Sequence, residues 1–140
     1  MFCMSIYFFH EGVDFRLESP DKTSAWLDQV VAREGYAIDE INYIFCDDRY
    51  LHQLNKKHLQ HDTLTDIITF DHRLEGSDKL LADIYISVVR VREHAKIFDV
   101  TFTEELARVM VHGILHLLGY DDTTPVLKDE MRRLEDFYLA

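Results

Sequence analysis

The stretch Val-His-Gly-Ile-Leu-His-Leu-Leu-Gly-Tyr-Asp-Asp, residues 111–122, constrains this chain more than any other. Val109, Met110, Val111, Ile114, Leu115, Leu117 and Leu118 surround two histidines, and a helix apolar nearly all round belongs in an interior. His112 and His116 are four residues apart, so a helix sets their rings on one face about one turn, ~6 Å, from each other. Two imidazoles so spaced suit one divalent ion, as on the two-histidine helix of zinc hydrolases. Interior polar groups need partners, so this pair predicts something that binds it. Gly119 follows the last apolar pair and is the residue type that ends helices in a left-handed conformation. The chain then turns through Tyr120 to Asp121 and Asp122, either of which can supply a third ligand. Gly113 stands where the H-E-x-x-H pattern has its Glu, which disfavours a metallopeptidase using that base. A histidine pair at helical spacing arises by chance more often than as a ligand pair. The glycine and two aspartates directly after it tip the balance towards a site.

The rest of the chain must enclose that helix, and 140 residues suffice for one domain (residues 1–140) with a substantial core. Hydrophobic content of 47% with 29% charged residues fits a soluble globular protein, and 5 Gly with 2 Pro leave no linker. Cys3 and Cys46 both sit in apolar runs, as buried thiols in a reducing compartment do. The opening run Met1 to Phe9 is too short for a membrane span and lacks the basic start of a signal peptide. A cytoplasmic protein without a membrane partner is expected.

The pattern of elements is alternating. Ser5 to Phe9 predicts a first strand, and Ser19-Pro20 opens a helix to Glu34 with Trp26, Leu27, Val30 and Val31 on one face. Ile41 to Cys46 predicts a second strand, and Asp47 or Asp48 caps a short helix carrying Leu51 and Leu54. Thr65 to Phe70 predicts a third strand and Leu80 to Ile86 a fourth. Ser87 is a natural N-cap for a helix through Val91 and Ile97. Thr103-Glu104-Glu105 opens the histidine helix, its acids matching the helix dipole, and Thr124-Pro125 opens a last helix. Four strands and about five helices predict an α+β fold, an α/β sandwich of helices on a mixed four-stranded sheet, with the metal site at the end of a buried helix.

These residues resemble a family. The run from His112 is similar to H-G-x-L-H-L-x-G-Y-D-H, the signature of the YbeY family of bacterial endoribonucleases and ribosomal RNA maturation factors, with Asp122 in place of the third histidine. Leu54-Asn55, Asp62, Thr65-Asp66 and Phe70 resemble a second family stretch, in which Leu59 replaces an arginine implicated in activity and Leu64 a proline. Leu81-Ala82-Asp83-Ile84-Tyr85-Ile86-Ser87 resembles a third, L-G-D-I-x-I-S. The resemblance spans roughly residues 40–138.

It implies a metal-dependent, single-strand-specific endoribonuclease of ribosomal RNA processing that cuts phosphodiesters with a metal-activated water. It implies His112, His116 and Asp122 as ligands of one divalent ion with an open position, a catalytic zinc arrangement. The carboxylate widens the choice towards manganese or iron; zinc remains the first choice. Asp66, Asp83 and Asp121 are candidate general bases, and the catalytic residues stay unassigned. A formal net charge of −11 works against RNA binding, which draws on Lys and Arg. Either a local basic patch or a basic ribosomal protein must help. Arg90, Arg92 and Lys96 form the best candidate patch, and Lys56, Lys57, His58 and His61 a weaker one; the plain alternative for both is a solvated face. Two other readings stay open: a ribosome-assembly or RNA-binding factor with a mainly structural metal, and a metal hydrolase for another substrate.

Overall fold

A computed structural model describes residues 5–58 and 66–140. Strands β1 (Ile6–Glu11), β2 (Ala37–Cys46), β3 (Ile67–Asp71) and β4 (Lys79–Ser87) form one sheet in the order β1-β2-β4-β3. β1, β2 and β4 run parallel, and β3 lies antiparallel on the β4 edge. Helices α1 (Pro20–Arg33), α2 (Asp48–His58), α3 (Val88–Ile97), α4 (Phe102–Leu117) and α5 (Pro125–Leu139) complete the α+β architecture. A parallel β1–β2 pair needs a crossover, and α1 supplies it.

The strands alternate, and the alternation builds the core. Ile41, Tyr43 and Phe45 of β2 and Ala82, Ile84 and Ile86 of β4 are buried on one sheet face. Against that face pack Leu27, Val30 and Val31 of α1, Val88 and Val91 of α3, and Leu106, Val109, Met110, Ile114 and Leu117 of α4. The other face is covered in part by α2, over Cys46, Leu51 and Ile68 with Tyr50, Leu54, Phe70 and Tyr85 around them. No helix among the described residues is long and apolar enough to cross a membrane.

The histidine helix is fixed from several sides. Thr101, not Thr103, caps it: its hydroxyl accepts the Glu104 N–H at 3.1 Å, so α4 begins at Phe102. The buried Tyr43 hydroxyl donates to the Met110 carbonyl at 2.9 Å. Gly113 lets the helix settle on the sheet; a Cβ there would lie 3.0 Å from Ile67 Cδ1 and 3.4 Å from Ile84. At the other end Arg73 donates to the Leu117 carbonyl at 3.2 Å, a cation on the negative pole of the helix. Gly119 then takes φ +102°, the left-handed turn that brings the chain back.

Most elements fall where periodicity places them, with shifted ends. β2 starts at Ala37 rather than Ile41, because Ala37 and Ile38 pair with Lys79 and Leu80 although most of that stretch is exposed. Asp47 is the cap of α2, accepting the Tyr50 N–H at 2.7 Å. β3 begins at Ile67, past Asp66. Cys3, Leu59, His61, Asp62, Leu64 and Thr65 lie outside the described residues.

Candidate active site

α4 carries His112 on the flank that faces α5. There the imidazole Nδ1 meets Glu135 Oε2 at 2.7 Å. Glu135 is only 6% exposed, and its other oxygen takes a bond from Arg108 at 2.9 Å. Arg108 reaches on to Asp136 at 2.6 Å. A buried carboxylate is tolerable when it is paired and hydrogen-bonded, and here one arginine and one imidazole share it. Burial alone would lower the His112 pKa, but the hydrogen bond to Glu135 and the charges of Glu135, Asp122 and Asp66 outweigh it and raise it.

With Nδ1 engaged, Nε2 is the nitrogen left to face outward, and it lies 3.7 Å from Asp122 Oδ2. Two ligand atoms on a tetrahedral ion at ~2.0–2.1 Å bond lengths lie about 3.3 Å apart, so this pair of donors fits a divalent ion with a small inward shift. An imidazole whose far nitrogen is held by a carboxylate is also the usual setting of a metal-bound histidine. Asp121 serves the turn instead. Its carboxylate accepts the Asp122 N–H at 2.7 Å and the Thr123 hydroxyl at 3.0 Å, fixing the backbone that presents Asp122. Tyr120 secures the same turn by donating to Glu34 of the α1 C-cap at 2.7 Å, and Tyr138 of α5 donates to that carboxylate as well.

His116 stands on the last turn of α4 and is exposed. It is not in the wall of the recess that holds His112 and Asp122, and among the described residues no three His, Cys, Asp or Glu side chains converge closely enough to hold a metal. The recess therefore holds two of the three expected ligands, His112 and Asp122, while His116, one helical turn further on, lies outside its wall. Nor are both rings buried and short of a partner, as the apolar setting of the helix suggests. His112 is half-buried with Glu135 beside it, and His116 is exposed.

The recess has a volume of about 270 Å³ and runs between α3, α4 and α5, with Asp66, His94, Glu105 and Arg132 also in its wall. Asp66 pairs with His94 Nδ1 at 3.4 Å. Asp83 is elsewhere, on the opposite sheet face, bonded to Asn42 and His72. Of the three candidate bases only Asp66 reaches the recess. The expected basic patch on α3 is only partly committed: Arg90 binds Asp48 at 3.0 Å and Glu93 at 3.3 Å, while Arg92 lies over the Phe102 ring and keeps its charge.

Glu135 escapes a reading of the sequence, though a signal exists. Met131, Leu134, Glu135 and Tyr138 share one stripe of α5, and a carboxylate on an apolar stripe must have a buried partner.

An α+β fold with a carboxylate-steered imidazole opening on a polar recess defines a candidate hydrolytic enzyme. A family model described as Endoribonuclease YbeY matches residues 13–140. The chain is 43% identical over 135 residues to an Endoribonuclease YbeY of Amoebophilus asiaticus, covering 96% of this chain and 91% of that one. It is 47% identical over 128 residues to one of Flavobacterium psychrophilum, covering 91% and 90%. Its fold matches a solution structure of a Thermotoga maritima protein at TM-score 0.63 and 28% identity, covering 96% and 86%. The chain belongs to the Endoribonuclease YbeY family.

Proposed function

We propose that this chain is a metal-dependent, single-strand-specific endoribonuclease that acts in ribosomal RNA processing and ribosome maturation in the cytoplasm. Membership of the Endoribonuclease YbeY family carries the RNA substrate, and the geometry at His112, whose Nδ1 is tied to Glu135 while Nε2 faces Asp122, supports the metal centre. We assign one divalent ion, zinc by preference, to His112 and Asp122, which face one another, and to His116, one helical turn on, whose exposed ring must turn to join them. Bound there, such an ion supplies Lewis acidity, polarising a phosphoryl oxygen and acidifying water. The protein's own groups prepare that chemistry. Glu135 sets the His112 tautomer, Asp121 and Tyr120 fix the turn under Asp122, and Asp66 with His94 offers a proton acceptor on the recess wall.

The acidic chain limits how RNA is held, so ribosomal proteins, which are basic, are the natural additional partners. Leu59, in place of an arginine, favours a second reading: a ribosome-assembly or RNA-binding factor in which the metal is structural.

The test is cleavage of an RNA with single-stranded segments by purified, zinc-loaded protein. His116→Ala and Asp122→Ala should each abolish cutting with circular dichroism unchanged. RNA that is bound but never cut at any metal loading would favour the assembly factor. Elemental analysis of the purified chain identifies the metal.

A further inference from the structure

The recess wall carries two arginines, and only one is free for a ligand. Arg108 is held by Glu135 and Asp136. Arg132, on α5, forms no ion pair among the described residues; its guanidinium lies 5.8 Å from the centroid of the Phe98 ring. Phe98 ends α3, lines the same recess and is 50% exposed. His94 packs beside it, ring centroids 6.0 Å apart. The core does not need this aromatic, which is half in water at the mouth of a polar recess.

We infer that Phe98 and Arg132 form a nucleotide-gripping lip of the recess: Phe98 stacks one base of a single-stranded RNA, and Arg132 takes the adjoining phosphate. This rests on the endoribonuclease reading above and names where that substrate is held. An aromatic face with an adjacent guanidinium is the chemistry that captures unstacked nucleotides without reading their sequence. Charge selects the place. Within the wall Glu135 is taken up by Arg108 and His112, and Asp66 faces His94, so an approaching phosphate meets the wall's one uncommitted arginine at Arg132.

The experiment uses zinc-loaded protein and a fluorescein-labelled single-stranded oligoribonucleotide, with binding read by stopped-flow anisotropy before cleavage and cutting by steady-state kinetics. Arg132→Gln should weaken binding about tenfold near 0.1 M salt and reduce the log–log salt slope by about one unit. Phe98→Leu should weaken binding about tenfold with the slope unchanged, and Phe98→Tyr should restore it. Both losses should appear in KM, with kcat within about twofold. Arg133→Gln removes the same charge one residue along α5, outside the recess wall, and should change affinity no more than about twofold. If Arg132→Gln and Arg133→Gln weaken binding equally, only net charge matters and the lip is overturned. It is overturned alone if the wild type binds and cuts while Phe98→Leu and Arg132→Gln do so equally well. If the wild type binds no RNA, the endoribonuclease reading and the lip fall together. If it binds but never cuts, only the enzyme reading falls, and the variants still decide the lip.

Discussion

His112 turns its Nδ1 onto Glu135 at 2.7 Å, so a carboxylate 23 residues further along the chain decides which imidazole nitrogen faces the recess. Because Glu135 also holds Arg108 at 2.9 Å, one side chain couples α4 to α5 and steers the proposed ligand. Glu135→Gln keeps the shape but removes the charge that both partners need. It should cost about 2 kcal/mol in urea denaturation, the range for a hydrogen bond to a charged group. Zinc affinity, read by competition with a chromogenic chelator, should fall about 10–100-fold. Full zinc affinity in this variant would show that Glu135 only packs α5.

Asp121 and Asp122 are adjacent yet do different work. Asp122 Oδ2 faces His112 Nε2, whereas the Asp121 carboxylate is spent on the Asp122 N–H and the Thr123 hydroxyl. Asp122→Ala should therefore lose zinc affinity strongly, and Asp121→Ala only mildly. In the wild type, chelator should lower the melting temperature, because an ion that binds only the native state stabilises it. In Asp122→Ala that shift should shrink towards zero. The reverse order of the two variants would show that Asp121 is the ligand.

The parts of this structure that are legible in the sequence are those fixed by local periodicity and caps. β4 alternates Leu80, Ala82, Ile84 and Ile86 inward. Ser87 accepts the Arg90 N–H at 3.2 Å and Thr124 that of Leu127 at 3.2 Å, as capping residues do. Gly119 ends α4 as its position demands. What escapes is set by contact between distant segments. Nothing near Arg73 says that it will cap α4 across the fold, and Glu135 is one acid among several on α5 until α4 is laid beside it. The spacing of His112 and His116 is plain in the sequence, but it does not reveal that one flank of α4 meets α5 while the other reaches solvent.

Glu105 gives the chain a pH signature. It is 5% exposed, and burial raises its carboxyl pKa above the ordinary 4.5, with His94 and Arg108 only partly offsetting that. Above the unfolded value the folded chain therefore keeps a proton that the unfolded chain has lost, so this group's contribution to stability falls as pH rises through that window. Below it, both states are protonated and nothing is lost. Glu105→Gln should melt with the wild type at about pH 4 and above it at about pH 7. Equal melting temperatures at both values would mean that the carboxylate is solvated well enough to ionise freely.

Cys46 should be inert until the sheet opens. It is fully buried beneath α2, and burial, then the charges of Asp47 and Asp48, push its thiol up to about 12. The thiolate is the reactive form, so iodoacetamide at about pH 8 should leave Cys46 unmodified in native protein and alkylate it in urea, as peptide mapping would show. Rapid native labelling would place α2 among the segments that open easily.

Gly113 accounts in packing terms for the lack of a glutamate between the two histidines of α4. A Cβ at this position would sit 3.0 Å from Ile67 Cδ1 and 3.4 Å from two Ile84 atoms. Gly113→Ala gains about 1 kcal/mol of helix propensity, and Ile67 is only partly buried, so its terminal methyl can turn aside. The net change should be within about 1 kcal/mol of zero, since overpacking of this size costs about as much as the propensity returns. Gly113→Glu would complete the H-E-x-x-H pattern, but it drives a carboxylate between α4 and the sheet, where Ile67 and Ile84 offer no hydrogen bond. Overpacking and an unpaired buried charge add, so this variant should lose about 3 kcal/mol or more by urea denaturation and show no peptidase activity. A stable Gly113→Glu protein would mean that α4 can lift from β3 and β4, and the close seat of this helix on the sheet would not be what fixes His112.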